Sequence, residues 1–141
     1  MSFLLDTNVV SEWVKPRPDP GVVGWMEAVD EDRVFLSVIT LAELRHGVDR
    51  MATGDRRQRI DEWLRDALPL RFEGRVLAID EAVADAWGCV MAEREAIGRR
   101  LEPMDAFIAA TAKVHDLAVV TRNTSDFEPS ANAILNPWQR T

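Results

Sequence analysis

The feature that most limits the fold of this chain is the alternation of short apolar runs with longer stretches of helical periodicity. Phe3 to Leu5 is one such run. Val34 to Ser37, Val76 to Ile79 (ending at Asp80) and Leu117 to Val120 are others, and Ile134 and Leu135 begin a fifth. Between them lie helical segments. Thr7 or Asn8 can cap a helix after the first run, and Pro20 suits the first helical position of GVVGWMEAV, beyond the proline-rich loop Lys15 to Pro20. Thr40 can cap a helix through Leu41, Leu44 and Val48, while Ile60, Trp63, Leu64 and Leu68 recur at helical spacing after Gly54. Glu81 to Ile97 carries Val83, Trp87, Val90 and Met91 on one stripe, and Pro103 opens a helix carrying Phe107, Ile108 and Thr111. Strand–helix alternation of this kind predicts an α/β three-layer sandwich, with a mainly parallel central sheet flanked by helices. No repeat, low-complexity tract or linker divides the chain, so one domain over residues 1–141 is expected.

On such a frame four acidic residues stand where strand ends and helix starts meet. Asp6 directly follows Phe3-Leu4-Leu5, and Asp126 lies a short polar loop beyond Leu117 to Val120. Glu43 and Asp105 fall in the first turn or so of helical segments. In parallel α/β sheets the carboxyl ends of the strands and the following helix starts share the edge where ligands bind. Carboxylates gathered there repel one another unless a hard cation neutralises them, and oxygen-only ligands suit Mg²⁺ or Mn²⁺. That pattern points to metal-assisted phosphodiester cleavage.

Each acid also has a plainer role to weigh. Asp6 can be a helix cap, though Thr7 and Asn8 beside it can cap as well. Glu43 can be one exposed glutamate of an amphipathic helix, and Gly47 one turn on suggests close approach by another segment or by substrate. Asp105, near the third position of its helix, gains from the helix dipole, but the small apolar residues after it suggest a buried helix whose carboxylate needs a partner. Asp126 sits in a polar loop where aspartate is ordinary. Asn8, Thr121 and Asn123 are candidates for holding these carboxylates or positioning water and phosphate.

Composition bounds the alternatives. A 47% hydrophobic, 29% charged content is that of a globular domain, and no apolar run approaches the roughly 20 residues of a membrane span. Asp6 interrupts any secretory core at once, and the lone Cys89, read as a core thiol beside Trp87, excludes an intrachain disulfide; a cytoplasmic location is expected. The net charge of −7 argues against a nucleic-acid enzyme until cations at the acidic site are counted. Arginines also cluster at Arg45, Arg50, Arg56, Arg57 and Arg59 and at Arg94, Arg99 and Arg100, as solvated helix faces or as phosphate contacts. Phosphate-cradling glycine motifs are missing, and neither His46 nor His115 sits in a nucleophile motif. A second Asp two residues after the first, which one phosphatase superfamily requires, is here Asn8.

The blocks LLDTN, TLAELRHG, PMDAFIAATA and VVTRNTSDF, in this order from Asp6 to Phe127, resemble the PIN-domain nucleases. More narrowly they resemble the VapC-type toxins of type II toxin–antitoxin modules, including the FitB-like branch. The resemblance implies an endoribonuclease in which Asp6, Glu43, Asp105 and Asp126 hold one or two Mg²⁺ or Mn²⁺ ions. It further implies a homodimer, RNA as substrate, a VapB-like antitoxin occupying the cleft, and operator DNA bound only through that antitoxin. Among the five tryptophans, Trp13 and Trp63 are the candidates to face a dimer mate or antitoxin. Two other functions remain open: a PIN-like subunit that with its antitoxin mainly binds operator DNA, and a PIN nuclease of RNA maturation.

Overall fold

The computed structural model describes residues 1–138; the end of the expected domain, 139–141, lies outside the described residues. Five strands form one sheet: β1 (Phe3–Leu5), β2 (Val34–Ser37), β3 (Val76–Leu77), β4 (Ala118–Val120) and β5 (Ile134–Leu135). Their order is β3-β2-β1-β4-β5 and every pairing is parallel, so the mainly parallel sheet expected from the sequence is wholly parallel. The chain runs outward from β1 through β2 to β3, then crosses back to place β4 on the other side of β1. This reversal puts a topological switch point between β1 and β4, and the crevice beyond their carboxyl ends is where such sheets bind ligands.

The strands are short because each needs to supply only one or two side chains per face. Leu5 and Val120 join a core with Val9, Val10, Leu36, Leu64 and Phe72 on one side of the sheet. Leu4 and Val119 point the other way, into a core with Val90, Ile108, Ala109 and Phe127. Alternation with period two thus divides a continuous apolar run between two helical layers. The first layer includes α1 (Thr7–Glu12), α2 (Pro20–Ala28), α3 (Val38–Asp49), α4 (Asp55–Glu62) and α5 (Leu68–Arg71). The second holds α6 (Glu81–Ala96) and α7 (Pro103–His115), with the short α8 (Thr124–Phe127) beside it. Trp63–Ala67 joins α4 to α5 as a π-helical turn.

Several local expectations are corrected. The cap of α1 is Asp6 itself, whose side chain accepts from the Thr7 amide at 2.8 Å, so Thr7 is the first helical residue. The cap of α3 is Ser37, three residues earlier than Thr40, which is buried inside the helix. A serine at the last position of a strand can both pair in the sheet and cap, which shortens the link to no residues at all. β3 ends at Leu77 rather than Ile79. Cys89 is exposed, not a core thiol. Gly47 meets no other segment: a side chain added there would face open space. The glycine that close approach does require is Gly21, where a Cβ would stand 2.4 Å from the Pro137 carbonyl oxygen.

Candidate active site

The register of the sheet builds the inner half of the site. Leu5 pairs with Val120, and the Asp6 amide donates to the Val120 carbonyl at 2.9 Å, so Asp6 and Thr121 leave the sheet side by side. Both are buried, Asp6 being 4% exposed. The Thr121 hydroxyl donates to Asp6 Oδ2 at 2.8 Å, and the Thr7 amide donates to Oδ1. Asn8, the second residue of α1, points its amide nitrogen back at Asp6 Oδ2 (3.4 Å) and Thr121 Oγ1 (3.3 Å). Thr121 Oγ1 also accepts from the Asn123 amide at 3.0 Å, so Asn123 contributes its backbone while its side chain is exposed.

Glu43 reaches the site from α3, whose start is fixed by β2 through Ser37. Its Oε1 accepts from the Thr7 hydroxyl at 2.6 Å, and Thr40 stands behind the same hydroxyl at 3.3 Å. Asp105 is the third residue of α7, set by the Glu102 cap, which accepts from the amides of Met104 and Asp105 at 2.9 and 3.2 Å. The rest of the first two turns of α7 is buried at Ala106, Ile108, Ala109 and Ala110, as the small apolar sequence after Asp105 implies. Asp126 lies in α8, not in a loop, and is exposed.

Electrostatics ties the four together. The Asp105 carboxyl is pushed up to about 7 by burial first, then by the charges of Asp6, Glu102, Glu43 and Asp126. Burial also raises Asp6, which the hydrogen bonds from Thr121 and Thr7 offset and the charge of Asp126 reinforces. Glu43 is raised by burial and by Asp6 and Glu102, against its hydrogen bond from Thr7. Two members of the site were not singled out by sequence. Thr7 reads in sequence as a cap alone, and Glu102 belongs to none of the acidic motifs, although an acid before Pro-Met-Asp is the visible sign of a capped, acid-rich helix start.

As oriented, no three histidine, cysteine, aspartate or glutamate side chains among the described residues form a group that could hold a metal ion. Gathering these carboxylates around a cation therefore takes side-chain rotation, which the exposed Asp126 and half-buried Glu43 and Asp105 allow. The donors otherwise fit a hard divalent ion. They are all oxygens, and burial together with their neighbouring charges pushes the Asp105 carboxyl up to about 7.

The arginine clusters are not alike. Arg45 lies 3.1 Å from Asp49 and also pairs with Asp61, which Arg65 meets at 2.7 Å. Arg94, by contrast, is buried. Among the tryptophans, Trp13 stacks on Phe72 with centroids 6.1 Å apart, under the Arg71 guanidinium. Trp63 lines a groove of about 330 Å³ with Val14, Leu44, Met51 and Ile60 that opens onto Thr7 and Glu43.

Residues 3–128 match the family model described as the PIN domain. The chain is 40% identical over 136 residues to Toxin FitB of Neisseria gonorrhoeae, covering 96% of this chain and 98% of that protein. It is 39% identical over 137 residues to VapC ribonuclease Y4jK of Sinorhizobium fredii, covering 97% and 98% respectively. The structure of FitAB bound to an IR36 DNA fragment superposes with a TM-score of 0.92 at 37% identity, over 99% of this chain and 97% of that one.

Proposed function

We propose, from the premise that this chain belongs to the PIN-domain family and resembles its FitB and VapC toxins along nearly its whole length, that it is a metal-dependent endoribonuclease serving as the toxin of a type II toxin–antitoxin module. One observation carries the chemical reading: carboxyl groups from the end of β1 and from α3, α7 and α8 come near the switch point, where burial and neighbouring charge raise Asp6, Glu43 and Asp105, the last to about 7. A protein gains nothing in stability from such a cluster, whereas a cation site requires it. The whole chain, 1–141, is read as one such domain, acting in the cytoplasm as a homodimer.

The site's own groups then have separate tasks. Asp6, Glu43, Asp105 and Asp126 hold Mg²⁺ or Mn²⁺. When bound, the ion supplies positive charge for the phosphate and lowers the pKa of a coordinated water. Asp6 is the rigid ligand, since the Thr121 hydroxyl and Thr7 amide fix both of its oxygens. Thr7 couples Asp6 to Glu43 by giving its amide to one and its hydroxyl to the other, so the two carboxylates keep a constant spacing. Asn8, whose amide nitrogen reaches both Asp6 Oδ2 and Thr121 Oγ1, helps to hold the Asp6 carboxylate in place. The FitAB complex supports an antitoxin partner for this chain, and the apolar groove past Trp63, ending at Glu43, is where that partner would cover the site. DNA would be bound through the antitoxin.

The test is RNA cleavage by the purified chain freed from any partner. Cleavage with Mg²⁺ or Mn²⁺ that EDTA stops is the expected result, and expression alone should arrest bacterial growth unless the antitoxin is co-expressed. Robust cleavage in EDTA rules out the mechanism.

A further inference from the structure

Arg94, at the last turn of α6, is 4% exposed, and among the described residues no carboxylate pairs with it. Burying a guanidinium is costly unless its donors are satisfied, and here all the acceptors are neutral. Arg94 Nε donates to the Arg99 carbonyl at 2.8 Å, and Nη1 donates to the Asp126 carbonyl at 2.7 Å and the Ser130 hydroxyl at 3.3 Å. Arg99 in turn donates from Nη2 to the Ser125 carbonyl at 3.1 Å. These contacts converge on the segment that carries Asp126. The segment is short and otherwise held by local turns, the Asp126 amide donating to the Asn123 carbonyl at 3.2 Å, and by the buried Phe127 and Ser130, while Asp126 itself is exposed.

The choice of atom matters. Had Arg94 paired with the Asp126 carboxylate, that carboxylate would be neutralised and turned away from the other acids. By gripping the peptide carbonyl instead, the guanidinium fixes the backbone and leaves the carboxylate without an ion-pair partner among the described residues, its charge felt by Asp6 and Asp105 as well as by Arg94. We propose that Arg94 is a positioning residue for the active site: it clamps the peptide of Asp126 and thereby sets the direction of the fourth carboxylate. This rests on the reading of Asp126 as a member of the metal site.

Arg94→Lys keeps the charge and most of the length but replaces the planar fork with a single ammonium. In the metal-free full chain, amide hydrogen exchange over residues 124–130 should accelerate while β1, β4 and α7 exchange as in wild type. Mn²⁺ affinity should fall about tenfold, in the range seen when groups that orient ligands are removed. The RNA cleavage rate should fall at low Mn²⁺ and recover at saturating Mn²⁺. A folded Arg94→Lys with wild-type Mn²⁺ affinity and wild-type exchange at 124–130 overturns the proposal, as does acceleration spread evenly over α6 and α7. Should the lysine variant not fold, Ser130→Ala, which removes one hydroxyl from the clamp, should give a smaller loss of Mn²⁺ affinity with the same localised exchange, and no change in either overturns the proposal. Asp126→Asn separates the two readings. If it binds Mn²⁺ as wild type does, the role of Asp126 fails and Arg94's falls with it. If it binds weakly while Arg94→Lys binds normally, only Arg94's role fails.

Discussion

Two clusters of charge lie on this molecule, and they obey opposite rules. Around the cleft between α3 and α4, acids alternate with arginines: Asp61 is held below the usual carboxylate range by its hydrogen bond from Arg45, and Arg45 is raised by the same contact. At the switch point Asp6, Glu43, Asp105 and Asp126 have no ion-pair partner among the described residues, and Asp105 is pushed up to about 7, by burial first. The first cluster satisfies itself and is fully formed by the chain alone. The second is left with excess negative charge, on rigid elements, beside a crevice. Aspartates of equal intrinsic acidity thus become structural or functional according to whether the fold supplies the counter-charge or leaves it to a ligand.

Removing one acid from each cluster should break the symmetry most sharply. Asp6→Asn keeps shape and most hydrogen bonds but loses a ligand charge, and should cut RNA cleavage about a hundredfold or more, since cation-assisted charge stabilisation is worth several kcal/mol. Asp61→Asn should leave cleavage unchanged, because solvent already screens that pair. Parallel initial-rate assays with both variants check the contrast, and equal losses would erase it.

The next effect is on stability. A divalent ion at about one hundred times its Kd should stabilise the wild type by about 2.7 kcal/mol, visible as a rise of several degrees in Tm. Asp105→Asn should shrink that response and raise the Tm of the metal-free protein, because it removes a repelled carboxylate from the cluster. An Asp105→Asn that melts lower without metal would mean that repulsion is not what governs the site.

A smaller signal comes from pH. Asp105 holds its proton up to about 7 when folded but only to its ordinary value of 3.8 when unfolded. Between these values the folded chain binds the extra proton, so the associated stability is fully present below 3.8 and is lost as pH rises through about 7. Denaturant melts of the metal-free protein from pH 4 to 8 should therefore decline less steeply for Asp105→Asn than for wild type.

The two clusters also differ in how far sequence exposes them. The strands that carry the acidic site were legible, since Leu4-Leu5 before Asp6 and Val119-Val120 before Thr121 read as apolar strand ends, but their adjacency in the sheet was not. The start of α7 was legible through Pro103. What escaped depended on contacts between distant segments. Thr7 reads as a cap, and only the approach of α3 turns its hydroxyl into a partner of Glu43. Arg94, Arg99 and Arg100 read as one basic cluster, but burial separates Arg94 from the others; its place three residues after Met91 and four after Val90, on the apolar stripe of α6, is the local sign of that. Cys89 beside Trp87 looked apolar, yet it lies on the solvent side of α6 while Trp87 turns to stack on Phe107 at 5.1 Å. The stripe of Val83, Trp87, Val90 and Met91 is the one that packs inward, and Cys89 lies off it.

The central claim is that the excess negative charge at the switch point is a cation site, and its most direct test is a calorimetric titration with Mn²⁺ near pH 6.5 in two buffers of different ionisation enthalpy. An ion drawn into the cluster must displace the proton that Asp105 holds up to about 7. The account predicts Mn²⁺ binding with proton release in the wild type, and release largely abolished in Asp105→Asn. Absence of Mn²⁺ binding by the correctly folded wild type, or binding with identical heats in both buffers, would contradict it.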